Sequence, residues 1–134
     1  MTFSKFLEAR AIYARTDLIA LVRKGIEMKQ LHKIQAFTAL TDAELASLLP
    51  ISQRQLARYA DDHILNKDIT SHLIQLIELF QKGHGLFGED KFGLWIRTEN
   101  KTLSHHTPLS LMDTSVGIKM VGDIIGRIEH GVFS

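Results

Sequence analysis

The stretch FGEDKFGLWIRTENKTLSHHTPLSLMDTSVGIKMVGDIIGRIEHGVF, Phe87 to Phe133, decides the fold. Short helical elements follow one another in it with little slack. Phe87-Gly88 closes one helix, and Phe92, Trp95 and Ile96 give the next an apolar stripe at three-four spacing. Asn100 and Leu103 sit in a polar loop. Thr107-Pro108-Leu109 opens another helical turn, and Asp113-Thr114 opens the last helix, expected over 115–130. Val121, Ile124, Ile125 and Ile128 share one face of that helix, which must be buried to hold it in place. Gly131 is placed as the left-handed residue just past its end.

Working outward, the rest of the chain also reads as helix. No stretch alternates apolar and polar residues long enough for a strand, and no hairpin dipeptide such as Asn-Gly occurs. Phe3, Phe6 and Leu7 mark a helix over 3–14. Thr16 is expected to cap a second helix, which Gly25 ends. Leu31, Ile34, Phe37 and Leu40 mark a third over about 28–40. Thr41-Asp42-Ala43-Glu44 and Ser52-Gln53-Arg54-Gln55 read as capping boxes for helices near 42–49 and 53–60, with Tyr59 facing inward. Leu73, Leu76, Ile77 and Phe80 carry a longer helix near 71–87, whose end Gly83 and Gly85 are expected to weaken by up to ~1 kcal/mol each. The expected architecture is all-α. Its parts are a helix-turn-helix-containing bundle over 1–68, a connecting helix over 69–87 and a small helical domain over 88–134.

Thr41 to Tyr59 has the layout of a helix-turn-helix, with Leu49-Pro50-Ile51 as the turn. The start of the second helix in such a unit reaches base edges, which makes Gln53, Arg54, Gln55 and Arg58 the candidate DNA-binding residues. Gln and Arg suit adenine and guanine edges. The unit's acidic residues, Asp42 and Glu44, lie off that helix. Pro50 holds φ near about −65° where a turn glycine is common, so the turn must differ. A helical hairpin used only for packing is the competing explanation.

Bulk properties narrow the function. The 134 residues are 45% hydrophobic and 23% charged, ordinary for a folded domain. The chain lacks cysteine, which excludes disulfides and thiolate sites. It shows no transmembrane run and no signal-peptide apolar region, so a cytoplasmic location is expected. Residues 1–59 hold nine Lys/Arg against five Asp/Glu, and residues 60–134 seven against ten, a basic front and a mildly acidic back. Of the seven histidines only His105 and His106 adjoin, and neighbours in a loop point apart, so no metal site is expected. His130 suits the negative end of the last helix. No phosphate loop, nucleophile elbow or dinucleotide fingerprint occurs, so neither an enzyme nor a cofactor is expected. Trp95 is expected in the core rather than as an interface anchor. Arg127 and Glu129 suit either internal hydrogen bonds or a partner.

The order FG, W, TxN, L, TPLxLMDT, G, V, IGRIxHGV, over about 45 residues, resembles the toxin-binding domain of the Xre/MbcA/ParS-type antitoxins. LTDAELASLLPISQRQLARY, 40–59, is similar to the Xre-like DNA-binding part of the same family. The resemblance implies the antitoxin of a type II toxin–antitoxin pair, a RES-domain toxin that degrades NAD⁺ as partner, and inhibition by occlusion. It also implies operator DNA as a second partner, in autoregulation. The candidate toxin-binding residues are Arg127, Glu129, Val132 and Phe133. Phe133, next to the chain end, is unfavourable to leave in water; it either meets a partner or folds back onto the chain's own core. A homodimer is expected. The alternative is a dimeric helix-turn-helix transcription regulator whose C-terminal part serves dimerisation or an effector.

Overall fold

The computed structural model describes residues 2–8 and 14–131. It is all-α among the described residues, with eight α-helices and three short 3-10 turns. The chain forms two compact units, Met1–Ile77 and Glu78–Ser134. No helix among the described residues is long and apolar enough to cross a membrane.

In the first unit, α1 (Phe3–Glu8) buries Phe3 and Phe6. The remainder of the helix expected over 3–14 lies largely outside the described residues. Helix α2 (Arg15–Lys24) is entered from Ala14, not Thr16. The Asp17 carboxylate accepts the Ala14 N–H at 3.3 Å, so the third helical residue caps the backbone without a cap side chain. Gly25, at φ +86°, ends the helix as expected. A side chain there would collide with Ile64 and with the carbonyl of Leu65.

After Gly25 the backbone does what alternation gave no sign of. It pairs antiparallel with residues 61–65: Met28 N–H donates to the His63 carbonyl at 2.8 Å, Lys29 to Asp61 at 2.9 Å, and Leu65 to Ile26 at 2.8 Å. The buried Thr70 hydroxyl joins both sides, accepting the Ile26 N–H at 3.3 Å and donating to the Leu65 carbonyl at 3.1 Å. This clasp closes the base of the segment that carries three helices.

Within the clasp, a 3-10 turn Met28–Gln30 runs into α3 (Leu31–Thr38), which ends at a left-handed Ala39. Helix α4 (Asp42–Leu48) has the full expected cap: Thr41 Oγ1 accepts the Glu44 N–H at 3.0 Å, and Glu44 Oε1 the Thr41 N–H at 2.9 Å. Helix α5 (Gln53–Ala57) starts where expected, with Ser52 accepting the Gln55 N–H at 3.1 Å, but stops three residues early. The Arg58 and Tyr59 amides bond three residues back, at 3.1 and 3.2 Å, and the chain turns toward the clasp. Tyr59 is half-buried and stacks on His63 at 3.8 Å, so it is not a core residue. Leu31, Ile34, Leu45, Leu48 and Leu56 are buried.

Helix α6 (Lys67–Phe87) begins four residues before the expected 71. Asn66 caps it through Oδ1, which accepts the Ile69 N–H at 2.9 Å. Leu73, Leu76, Ile77 and Phe80 are fully buried. The second unit takes the end of α6 and adds α7 (Glu89–Ile96) and α8 (Ser115–Glu129), with 3-10 turns at Lys101–Leu103 and Leu109–Leu111.

Candidate functional site

The second unit is organised by Phe92, which is completely buried. Phe80 and His84 meet its ring edge-on, with centroids 5.2 and 5.7 Å away, while Phe87 and Trp95 stack beside it at 5.9 and 6.0 Å. Gly83 makes room for this ring, because a Cβ there would enter Phe92. The glycine is therefore a close-approach position, not the weak point the sequence suggested; Gly85, in open space, has no such role. Trp95 stacks on Phe87 at 5.2 Å but is only half-buried, which corrects its expected place in the core. Its neighbour Leu94 is 71% exposed. Burial holds His84 below the ordinary histidine value, partly offset by the nearby Glu89 carboxylate.

Asn100 organises the loop after α7. Its side chain accepts the Thr102 N–H at 2.9 Å, and its backbone exchanges bonds with Leu103, His105 and His106. Ser104 and His105 are both left-handed, which turns the chain back sharply. His105 and His106 are exposed, and among the described residues no group of three or more side chains gathers that could hold a metal ion.

Helix α8 starts at Thr114, whose hydroxyl accepts the Gly117 N–H at 3.0 Å. Its inner face buries Ile118, Val121, Ile124 and Ile125. Ile128 is half-buried rather than fully inside. Gly131 closes the helix in the left-handed conformation as expected. The opposite face keeps Val116 at 69% and Met120 at 45% exposed, one turn apart, beside a Lys119–Asp123 ion pair of 3.4 Å. Arg127 and Glu129 are exposed at its end. Val132 and Phe133 lie outside the described residues. Sequence reasoning missed Val116 and Met120; the signal was two apolar residues off the stripe of the inner face.

In the first unit Gln53, Arg54, Gln55 and Arg58 are all exposed. The first three lie on α5, but Arg58 is the residue that ends the helix, not part of it. Five residues make α5 about 7–8 Å long. The turn uses an extended Leu49, whose carbonyl accepts the Ile51 N–H at 2.8 Å, so Pro50 is accommodated without any positive φ.

Comparison with known proteins places this geometry. A family model described as the Antitoxin Xre/MbcA/ParS C-terminal toxin-binding domain matches residues 75–131. The Antitoxin Xre of Yersinia enterocolitica serotype O:8 / biotype 1B is 30% identical over 122 residues, spanning 89% of this chain and 82% of the relative. The Antitoxin Xre of Photorhabdus laumondii subsp. laumondii is 26% identical over 120 residues, spanning 87% and 81%. A chain in the crystal structure of the M. tuberculosis MbcT-MbcA toxin–antitoxin complex has the same fold, with a TM-score of 0.60 at 20% identity, over 80% of this chain and 96% of that one.

Proposed function

The chain belongs to the Xre antitoxin family, and we propose that it neutralises a protein toxin by docking its second unit onto that toxin. One observation carries the proposal. Residues 75–131, matched by a toxin-binding family model, coincide with a compact unit whose α8 leaves Val116 and Met120 in solvent. Apolar side chains held on a rigid helix are suited to a partner's surface, and covering each contributes about 1.5–3 kcal/mol. The partner is a RES-domain toxin that consumes NAD⁺, as the family resemblance implies. Inhibition is steric: the antitoxin contributes no chemistry and denies the substrate access. Arg127, seven residues beyond Met120, extends the docking face along α8, and Glu129, Val132 and Phe133 are the further candidate toxin contacts.

Autoregulation through DNA is the second part of the proposal. Gln53, Arg54, Gln55 and Arg58 are exposed, and no acidic residue lies on α5 to repel phosphate. A dimer would present two such units to paired half-sites. The decisive experiment is co-expression with the product of the adjacent gene. Co-purification of the two proteins and restored growth are expected. Failure of the chain to bind or protect against any RES-type neighbour would leave a plain dimeric regulator as the better account.

A further inference from the structure

Within the second unit α6 approaches α8 closely at two glycines. A Cβ on Gly122 would stand 3.6 Å from Leu79 Cδ1, and one on Gly126 would stand 3.7 Å from Lys82 Nζ. With no side chain at Gly126, the Lys82 ammonium lies over the last turn of α8 while staying exposed. Spacings of four, three and four residues put Val116, Met120, Asp123 and Arg127 along one side of α8, and Gly126 is three residues beyond Asp123. Lys82 therefore stands at the edge of the outward face. Charge is sorted there. Residues 78–134 as a whole hold six Lys/Arg and seven Asp/Glu. On this face and its edge, Lys82, Lys119 and Arg127 accompany a single acid, Asp123, and Lys119 pairs with it at 3.4 Å. Among the described residues no carboxylate pairs with Lys82. Glu129, nine residues past Met120, lies on the opposite side of the helix.

We propose, resting on the reading of α8 as the docking face, that Lys82 is a toxin contact and that with Arg127 it forms a cationic rim beside Val116 and Met120. The complementary surface is an apolar socket edged by carboxylates. A rim of one sign steers the encounter and rejects surfaces of the same sign, whereas the apolar centre sets how long the complex lasts. A lysine over a helix end also counters the negative end of the helix dipole. That role is read in the stability of the chain alone. The toxin contact is read in the rate at which the two proteins meet.

The test is the association rate of the full chain with the proposed RES-domain toxin, followed by stopped flow over a range of salt. Wild-type association should slow as salt rises, because the rim is exposed and screened. Lys82→Glu should lower the rate about tenfold at low salt and reduce the salt dependence, with dissociation little changed. Lys82→Arg should keep the wild-type rate. Val116→Asp/Met120→Asp should instead mainly speed dissociation. If that double variant binds as the wild type does, or if the wild type does not bind, the docking reading fails and the rim with it. If the double variant loses binding while Lys82→Glu associates at the wild-type rate or faster, the rim alone is wrong and the docking face stands. Lys82→Arg as slow as Lys82→Glu also overturns the rim, since the charge is then not what matters. A Lys82→Glu chain changed only in its melting temperature assigns Lys82 to the helix end and overturns it too.

Discussion

Gly117, in the first turn of α8, rests against the backbone carbonyl of Leu111 so closely that a Cβ has no room. Backbone cannot yield as a flexible side chain does, so this approach sets how α8 is rotated on its unit. The rotation turns Ile118, Val121 and Ile125 inward and leaves Val116 and Met120 outward. Helix propensity alone would favour Gly117→Ala by up to ~1 kcal/mol. The clash is expected to reverse that sign, with a net loss of about 1–3 kcal/mol. Gly122→Ala is the control. Its Cβ would meet Leu79 Cδ1 at an ordinary 3.6 Å, so it should be neutral or gain up to ~1 kcal/mol. Urea denaturation midpoints of the two variants check the contrast.

Phe92 should be the most sensitive core position of the second unit. Phe92→Ala removes a ring that four aromatic neighbours touch and is expected to cost about 3–5 kcal/mol. Gly83→Ala should also destabilise, because its methyl group displaces the same ring. Trp95, the one tryptophan of the chain, stacks in this cluster, so its fluorescence reports the unfolding of both variants.

Acidification should weaken the second unit through His84. Burial lowers its proton affinity in the folded state below the ordinary value of 6.5. The unfolded chain therefore takes up the proton first as pH falls through about 6.5, and stability drops. The loss levels off once pH is below the folded value, where both states are protonated. In His84→Gln this part of the pH dependence should vanish. An unaltered slope in thermal melts between neutral and mildly acidic pH would contradict it.

Much of the fold was legible because local chemistry repeats at helical spacing. The Thr41–Glu44 cap, the buried stripe of α6 and the left-handed Gly131 all follow from residues within one or two turns. What escaped reading is non-local or a matter of fine rotation. Residues 26–29 meet 61–65 through backbone bonds, which no side-chain pattern encodes. Gly83 and Gly117 resemble helix weaknesses until the groups packed on them are known. Arg58 falls off α5 because its amide bonds to Gln55, three residues back. The candidate docking face was half legible: Arg127 stood out by charge, whereas Val116 and Met120 looked like ordinary helix residues until their exposure was seen.

DNA binding by α5 predicts a salt signature. Arg54→Ala/Arg58→Ala should weaken operator binding and flatten the dependence of log K on log salt by roughly one unit per lost phosphate contact. Unchanged affinity in the double variant would remove this helix from the interface and leave α4 and α5 as a packing hairpin.

The proposed toxin inhibition through the second unit is tested most directly by titrating the full chain into the proposed RES-domain partner and following NAD⁺ consumption. The wild type should bring consumption to background near saturation. Val116→Asp/Met120→Asp, with helical content intact, should need at least about tenfold more protein, since losing even one buried apolar side chain costs about 1.5–3 kcal/mol. If the double variant inhibits as well as the wild type, the outward face of α8 is not the docking surface. If the wild type leaves NAD⁺ consumption untouched while bound, occlusion itself is wrong.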